Sequence, residues 1–243
     1  MIACNCPWEI ENLGKRTIEI KIDEEDSFDS NRISEITKGY EYSVVKVPMN
    51  KPDFNIGLTS LGFVCIETQL NVFISYQNFE FSKCSHLIND TDYAKIESTD
   101  DLQILLGLIT PGMFSTDRIS LDPCFGQDLG CQRYRNWISR EFKAGRAELF
   151  HVLYQEEHVG FMLIRIVGDV LELLLNGLYK PFQKRGLGLL TPASPMMYIK
   201  KMGLNLQCEK TSISSNNAPV VKLYNRLNFQ LESQKYVFIK HVS

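Results

Sequence analysis

The sequence predicts an α/β (α+β) fold, a mixed central sheet flanked by helices. Three observations point there. Short runs alternate apolar and polar residues, as half-buried strands do. Other segments carry helical spacing and stop on glycine. The two kinds alternate along the chain rather than clustering by type, the order expected where helices pack on a sheet.

Taken in order, RTIEIKI (16–22) alternates and reads as a strand. DSNRISEITKG (29–39) reads as a short helix, with Ser30 or Asn31 at its start and Gly39 past its end. YSVVKV (42–47) is β-branched and strand-like. KPDFNIGLTSLG (51–62) reads as a helix with Pro52 in the first turn, where a missing N–H is harmless. FVCIETQLNVFIS (63–75) is a long strand. The first 80 residues therefore read β-α-β-α-β. The polar stretch around 81–98 reads as a connector into a helix near 99–108.

The segment 113–128 is rich in turn residues, and 129–145 follows as a helix with Tyr134, Trp137, Ile138 and Phe142 near helical spacing. Residues 147–155 and 158–169 form a pair of strands around Glu156 and Glu157, and 170–179 is apolar enough for mid-sheet. A helix after Gly188, a strand at 203–210, a helix at 216–229 capped by Asn216 or Asn217, and a strand at 230–242 complete the chain. Pro192 and Pro195 fall inside the first of these helices and predict that it starts, breaks or kinks near 192 and resumes toward Lys201, since an interior proline costs about 3 kcal/mol or more.

Composition narrows function mostly by exclusion. The 243 residues suit one large domain or two small ones. A formal charge of −3 gives no general attraction to nucleic acid or to an anionic membrane, so any anion site has to be local. No apolar run approaches the ~20 residues of a membrane span. The N-terminus lacks the basic head and apolar stretch of a secretory signal. Seven scattered cysteines, with no Cys-x-x-Cys pair, read as reduced thiols, and the four histidines show no metal-ligand spacing. A cytoplasmic protein without a metal is expected.

Two stretches echo one another. LGFVCIETQLNVFI (61–74) and LNFQLESQKYVFI (227–239) each run from a helix end through a Leu-x-Phe hinge into a strand, and align with one inserted residue. In that alignment Leu58 stands roughly where Tyr224 stands. The first half then reads as a degenerate copy of the second, lacking its chemistry.

The chemistry gathers in LYKPFQKRGLGLL (178–190). A strand ends near Leu178, and a helix starts near Gly186. Free N–H groups and the helix dipole at such a start attract anions. Glycine at 186 and 188 removes Cβ atoms that would hold a pyrophosphate away, and Lys184 and Arg185 add local charge. About 30 residues on comes NNAPVVKLYNRLNF (216–229).

Together these segments resemble the GNAT superfamily of acyl-CoA-dependent N-acyltransferases. Its first signature, [Gln/Arg]-x-x-Gly-x-[Gly/Ala], is matched by Gln183, Gly186 and Gly188. Its second, Asn-x-x-apolar-x-x-x-Tyr-x-x-x-Gly-Phe, is matched by Asn217, Val220, Tyr224 and Phe229, with Asn228 in place of glycine. The resemblance covers about residues 99–243 and implies a GNAT domain there, behind a partial GNAT-like domain at 1–80 and the connector at 81–98. It implies acetyl-CoA or a longer acyl-CoA as co-substrate, held by Gln183, Lys184, Arg185, Gly186, Leu187, Gly188 and Asn217. It also implies that the strand through Leu178 pairs with the pantetheine arm and that an N–H near Leu178 faces the thioester oxygen. Tyr224 would protonate the leaving thiolate. Glu172 lies where some members carry a base, if no bulge intervenes, and a water chain is the competing account.

More narrowly, the layout is similar to nucleotide-sugar acyltransferases of the dTDP-fucosamine N-acetyltransferase type, with an N-terminal partial domain, a Leu61-Gly62-Phe63…Glu67 junction and an Arg118…Tyr134…Trp137-Ile138 run. That similarity implies a dTDP-linked aminodideoxysugar as acceptor, in bacterial surface-glycan (lipopolysaccharide or capsule) synthesis. Arg118, Phe125, Tyr134 and Trp137 would bind it, and Arg133 and Arg135 would add positive charge. It implies no nucleic-acid or membrane partner; a homodimer is compatible with it. Two other readings stay open: a GNAT enzyme acting on a peptide, polyamine or antibiotic amine, and a non-catalytic CoA- or nucleotide-binding sensor.

Overall fold

Over residues 1–242, which the computed structural model describes, the chain forms β1 (Ile2–Asn5), α1 (Trp8–Leu13), β2 (Thr17–Lys21), α2 (Ser30–Thr37), β3 (Tyr42–Pro48), α3 (Pro52–Ser60) and β4 (Val64–Ser75). There follow α4 (Ser85–Ile88), β5 (Thr91–Lys95), α5 (Thr99–Leu108), α6 (Gly126–Lys143), β6 (Glu148–Tyr154), β7 (Glu157–Val167) and β8 (Val170–Leu178). The chain closes with α7 (Leu190–Met202), β9 (Cys208–Ser214), α8 (Ala218–Arg226) and β10 (Gln230–His241). The strands make a single mixed sheet in the order β1-β2-β3-β10-β4-β9-β8-β7-β6-β5. Its parallel pairs are β2–β3 and β8–β9, each joined through a helix, as parallel neighbours require.

Alternation sets what each strand face meets. Val45 and Val47 of β3 join Ile33 of α2 with Phe54 and Leu58 of α3 in one core. Tyr42 and Val44, on the opposite face, pack with Leu13 of α1 and Ile119. In the second half, α7 and Tyr224 of α8 cover one face of β7 and β8, while α5 and α6 cover the other. Helix α1 is pinned to α6: Asn136 Nδ2 donates to Asn12 Oδ1 at 2.8 Å, and the Arg140 guanidinium sits 5.3 Å from the Trp8 ring centre.

The strand order is not the chain order. β4 lies between β9 and β10, and β10 lies between β3 and β4. The last strand of each half thus inserts into the sheet of the other. The two insertions match in register: Tyr42–Pro48 pairs with Lys235–His241 as Cys208–Ser214 pairs with Gln69–Ser75. One-residue bulges fall at Ile66 in β4 and at Glu232 in β10, equivalent positions in that match. Gly62 and Asn228 both turn the chain at positive φ, 83° and 64°. Phe63 N–H donates to Leu58 as Phe229 N–H donates to Tyr224, at 3.0 and 3.1 Å. The segments 42–75 and 208–241 therefore match position for position without the inserted residue that their sequences suggest. The similar Glu-Thr-Gln and Glu-Ser-Gln triplets sit one position out of step.

Several expectations change. The 81–98 stretch is more than a connector, because it contains α4 and the edge strand β5 paired with β6. TDYAK has too little apolar alternation to announce a strand, and pairing with β6 supplies what its own pattern does not. IACN and WEIENL, near the N-terminus, form β1 and α1, which local pattern also missed. Helix α2 is capped by Asp29, whose carboxylate accepts from the N–H groups of Asn31 and Arg32. Strand β9 begins at Cys208, five residues later than periodicity suggests.

Helix α7 runs through both prolines without a break. Each proline deprives the carbonyl four residues back of its donor, and each such carbonyl has another one. The Thr191 hydroxyl donates to Gly188 O at 2.8 Å, compensating Pro192. The Asn176 side-chain amide, reaching from β8, donates to Thr191 O, compensating Pro195. Asn176→Ala should therefore lower unfolding free energy by about 1–3 kcal/mol, the cost of an orphaned buried polar group. In a Pro195→Ala background, where the helix regains its own N–H, the same substitution should cost less. Urea unfolding of the four proteins measures this coupling, and simple additivity would show that the amide is not compensating the proline.

Candidate active site

β8 and β9 run together only over Val170–Leu173 and Cys208–Thr211. The Thr211 hydroxyl closes the last rung by donating to Leu173 O at 2.8 Å. Beyond it the strands part. β8 carries a one-residue bulge at Leu174, and on its other side Leu175–Leu178 stay paired with β7. The gap is a cavity of about 240 Å³ whose walls include Leu174, Leu175 and Asn176 from β8, Thr211 and Ser214 from β9, and Asn217 and Tyr224 from α8. Glu67 and Gln69 of β4 form its far side, and Phe114, Asp117 and Tyr134 roof it.

Between β8 and α7 lies the glycine turn. Lys184 and Gly186 take left-handed φ of 64° and 81°, then a short 3-10 turn, Leu187–Leu189, leads into α7. The N–H groups of Lys184, Arg185 and Gly186 find no hydrogen-bond acceptor among the described residues. Successive free amides with alternating backbone handedness make an anion-binding concavity. A Cβ added at Gly186 meets nothing within 4 Å, so this glycine answers to its φ, whereas one at Gly188 touches Leu223 at 3.4 Å. Gln183 lies inward, donating to Leu178 O at 3.2 Å, while Lys184 and Arg185 are exposed.

Tyr224 is buried among the helix-side core residues and borders the cavity. Burial first, then nearby Glu209, hold its phenol well above the ordinary value, while the Thr211 hydroxyl beside it works the other way. It stays protonated at neutral pH, as a proton donor must. Glu209 is itself fully buried with both oxygens unpartnered, and burial raises its pKa well above the ordinary carboxylate value. Asn217 caps α8, accepting from Val220 N–H at 3.3 Å, and shares the cavity wall.

Other candidates lie elsewhere. Leu178 pairs with Gly160 on the β7 side, and past Leu173 the other edge of β8 has no strand partner among the described residues, so that edge stays open through Leu178, which borders a smaller neighbouring cavity with Asn176 and Thr191. Glu172 precedes the bulge, which breaks the alternation that would aim it inward, and its carboxylate accepts from Arg165 Nε at 2.7 Å. Arg118 is buried and its Nη2 lies 3.3 Å from Glu9, which also accepts from Arg133 Nε at 2.8 Å. Arg135 donates to Ile109 O. Phe125 packs edge-on against Tyr42 and near His241. Tyr134 does line the cavity; Trp137 lies behind it, ring centres 6.3 Å apart. The arginines turn inward because α1 presents a buried Glu9 that a charge partner must neutralise. No pattern around WEIENL signalled that. None of the four histidines lines the cavity. His151, bonded to Tyr179 at 2.8 Å, is held down to about 4 by burial and by His158, while His241 bonds Asp122 at 2.7 Å.

Two variants separate these roles. Arg118→Ala leaves Glu9 short of a partner and should cost about 3–5 kcal/mol, read as a lower urea midpoint, with CoA affinity of the folded fraction unchanged. Gly186→Val forces a β-branched residue to positive φ and should weaken CoA binding at least tenfold by calorimetry. Unchanged affinity in a folded Gly186→Val protein would remove the anion-site reading.

No family model matches the chain, and no curated protein matches it. Solved structures do. A conserved Staphylococcus epidermidis protein of unknown function superposes with a TM-score of 0.65 at 14% identity, over 94% of this chain and 85% of that one. A GCN5-related N-acetyltransferase from Kribbella flavida gives 0.56 at 12% identity, over 93% and 82%. A tandem GNAT protein from the clavulanic acid biosynthesis pathway gives 0.55 at 10%, over 87% and 68%. Among the described residues, no helix is long and apolar enough to cross a membrane. The chain has the fold of the GCN5-related N-acetyltransferases.

Proposed function

We propose that the chain transfers an acyl group from acyl-CoA to a primary amine. One observation carries this: a protonated, buried Tyr224 borders the gap between two splayed strands, and an unpartnered amide turn stands at the start of the following helix. The turn suits the CoA diphosphate, with Lys184 and Arg185 supplying charge. The unpaired β8 edge at Leu174–Asn176 suits the pantetheine amides, and an N–H there can face the thioester oxygen as charge develops on it. Tyr224 then protonates the departing thiolate. A purely sensing protein has no use for a proton donor at that place, so catalysis is the better reading. The first half fits as a partial copy of the second that supplies a wall of the acceptor site through β4.

The acceptor is best read as an amine without a diphosphate. The cavity has no lysine or arginine on its walls, and it has two carboxylates, Glu67 and Asp117. Arg118, Arg133 and Arg135, the expected partners of a dTDP group, are engaged with Glu9 and the Ile109 carbonyl. A dTDP-aminodideoxysugar would bring two negative charges into a cavity whose walls carry two carboxylates and no lysine or arginine, against the electrostatic complementarity that binding needs. A peptide, polyamine or similar amine meets no such obstacle.

The test is thiol release from acetyl-CoA with a panel holding spermidine, a lysyl tripeptide and a dTDP-4-amino-4,6-dideoxyhexose. Turnover of an amine free of diphosphate is expected; preference for the dTDP sugar would restore the narrower reading. Tyr224→Phe should lower kcat by about 10²–10⁴ with little change in CoA affinity, the worth of a positioned acid. Near-normal turnover would leave Tyr224 a packing residue and give proton delivery to water.

A further inference from the structure

We propose that Glu67, carried by the N-terminal half, is the general base that deprotonates the acceptor amine. This deepens the acyltransferase reading and rests on it. An amine reaches the site as an ammonium and must lose a proton before its lone pair can attack. The titratable groups on the cavity wall are Glu67, Asp117, Tyr134 and Tyr224. Both tyrosines are held protonated by burial. Asp117 is held by its own turn: Oδ1 accepts from the N–H groups of Ile119 and Ser120 at 2.9 and 3.3 Å, and Oδ2 lies 2.8 Å from the Ser120 hydroxyl, whose one proton it shares with Phe114 O at 2.9 Å.

Glu67 remains. The Ser214 hydroxyl beside it donates to Thr116 O at 2.7 Å, so that proton is engaged elsewhere. Its placement comes from backbone. The bulge at Ile66 directly precedes Glu67, and bulges re-aim the side chains that follow. Pairing of β4 with β9 begins only at Gln69–Ser214, so Glu67 overhangs the end of β9. The 215–216 turn folds over it, Ser215 N–H donating to Thr68 O at 2.9 Å and Asn216 Nδ2 to Ile66 O at 3.3 Å. The groups facing it are Ser214 of β9, Arg118 and Asp117 of the roof loop, Lys46 of β3, Tyr134 of α6 and Tyr224 of α8. Burial outweighs the rest and raises the Glu67 pKa, toward the range where a carboxylate can both take and release a proton near neutrality.

Glu67 takes one proton from the ammonium, and the free amine attacks the thioester carbon. The C–S bond breaks, and the thiolate takes the Tyr224 proton. The tyrosinate recovers a proton from the nitrogen as the amide forms, and Glu67 returns its own to solvent.

The experiment uses the full chain with acetyl-CoA and two probe amines, spermidine and ethanolamine. In the wild type, kcat should fall as pH drops below the raised Glu67 pKa. Glu67→Gln should lose that acid limb and about 100-fold in kcat at neutral pH, a typical worth of a general base, with unchanged CoA binding by calorimetry. Glu67→Asp should keep the limb at reduced rate, and Asp117→Asn should keep it too. An acid limb retained in Glu67→Gln would overturn the assignment. So would a rate loss no greater than in Asp117→Asn, or a wild type that binds CoA yet shows no amine-dependent thiol release. A wild type that fails to bind CoA would instead defeat the acyltransferase reading on which the assignment rests.

Discussion

The exchange of the two long terminal strands is the constraint from which the rest follows. β4 and β10 pair with each other and each also fills the sheet of the opposite half, so that neither half can satisfy its backbone hydrogen bonds alone. An unpaired central strand would expose a whole row of N–H and C=O groups, and buried groups of that kind must be paired. The bulges at Ile66 and Glu232 fall at matched places because both strands negotiate the same local geometry. Strand exchange makes the halves a single sheet and carries residues from the first into the cavity of the second.

That cavity is what remains when β8 and β9 can no longer follow one another. The bulge at Leu174 turns the β8 edge away, and the Thr211 hydroxyl closes the last shared rung. Asn176 serves two structures, lining the gap and supplying the hydrogen bond that Pro195 withdraws from α7. The helix whose start forms the anion turn is thereby tied to the strand that borders the reactive space. Rigid support of this kind holds catalytic groups near productive geometry.

Electrostatics separates the two ends of the site. The turn before α7 has free amides, Lys184 and Arg185; the cavity wall has Glu67 and Asp117 and no lysine or arginine. With a formal charge of only −3 overall, such local contrast decides which ligand end sits where. Clustered arginines in sequence do not announce a phosphate site by themselves. Arg118 and Arg133 answer instead to Glu9, a buried carboxylate more than a hundred residues away.

Element types, the glycine turn, the Tyr224 helix and the likeness of the two Leu-x-Phe hinges were open to reading from the sequence, because each depends on neighbours within about ten positions. Periodicity, caps and φ preferences act over that range. Glu172 and Arg118 sit differently from the local reading for a shared reason: a bulge set by pairing with β7 and a buried counter-charge on α1 each involve another segment. The same holds for β5, whose pattern is too weak to stand without β6, and for α7, which survives its prolines through donors on Thr191 and Asn176. Glu67 reads locally as one more strand glutamate. Only the insertion of β4 beside β9 brings it to the cavity that Tyr224 borders, because neighbours across a sheet are chosen by long-range backbone pairing, which leaves no periodic mark on either strand.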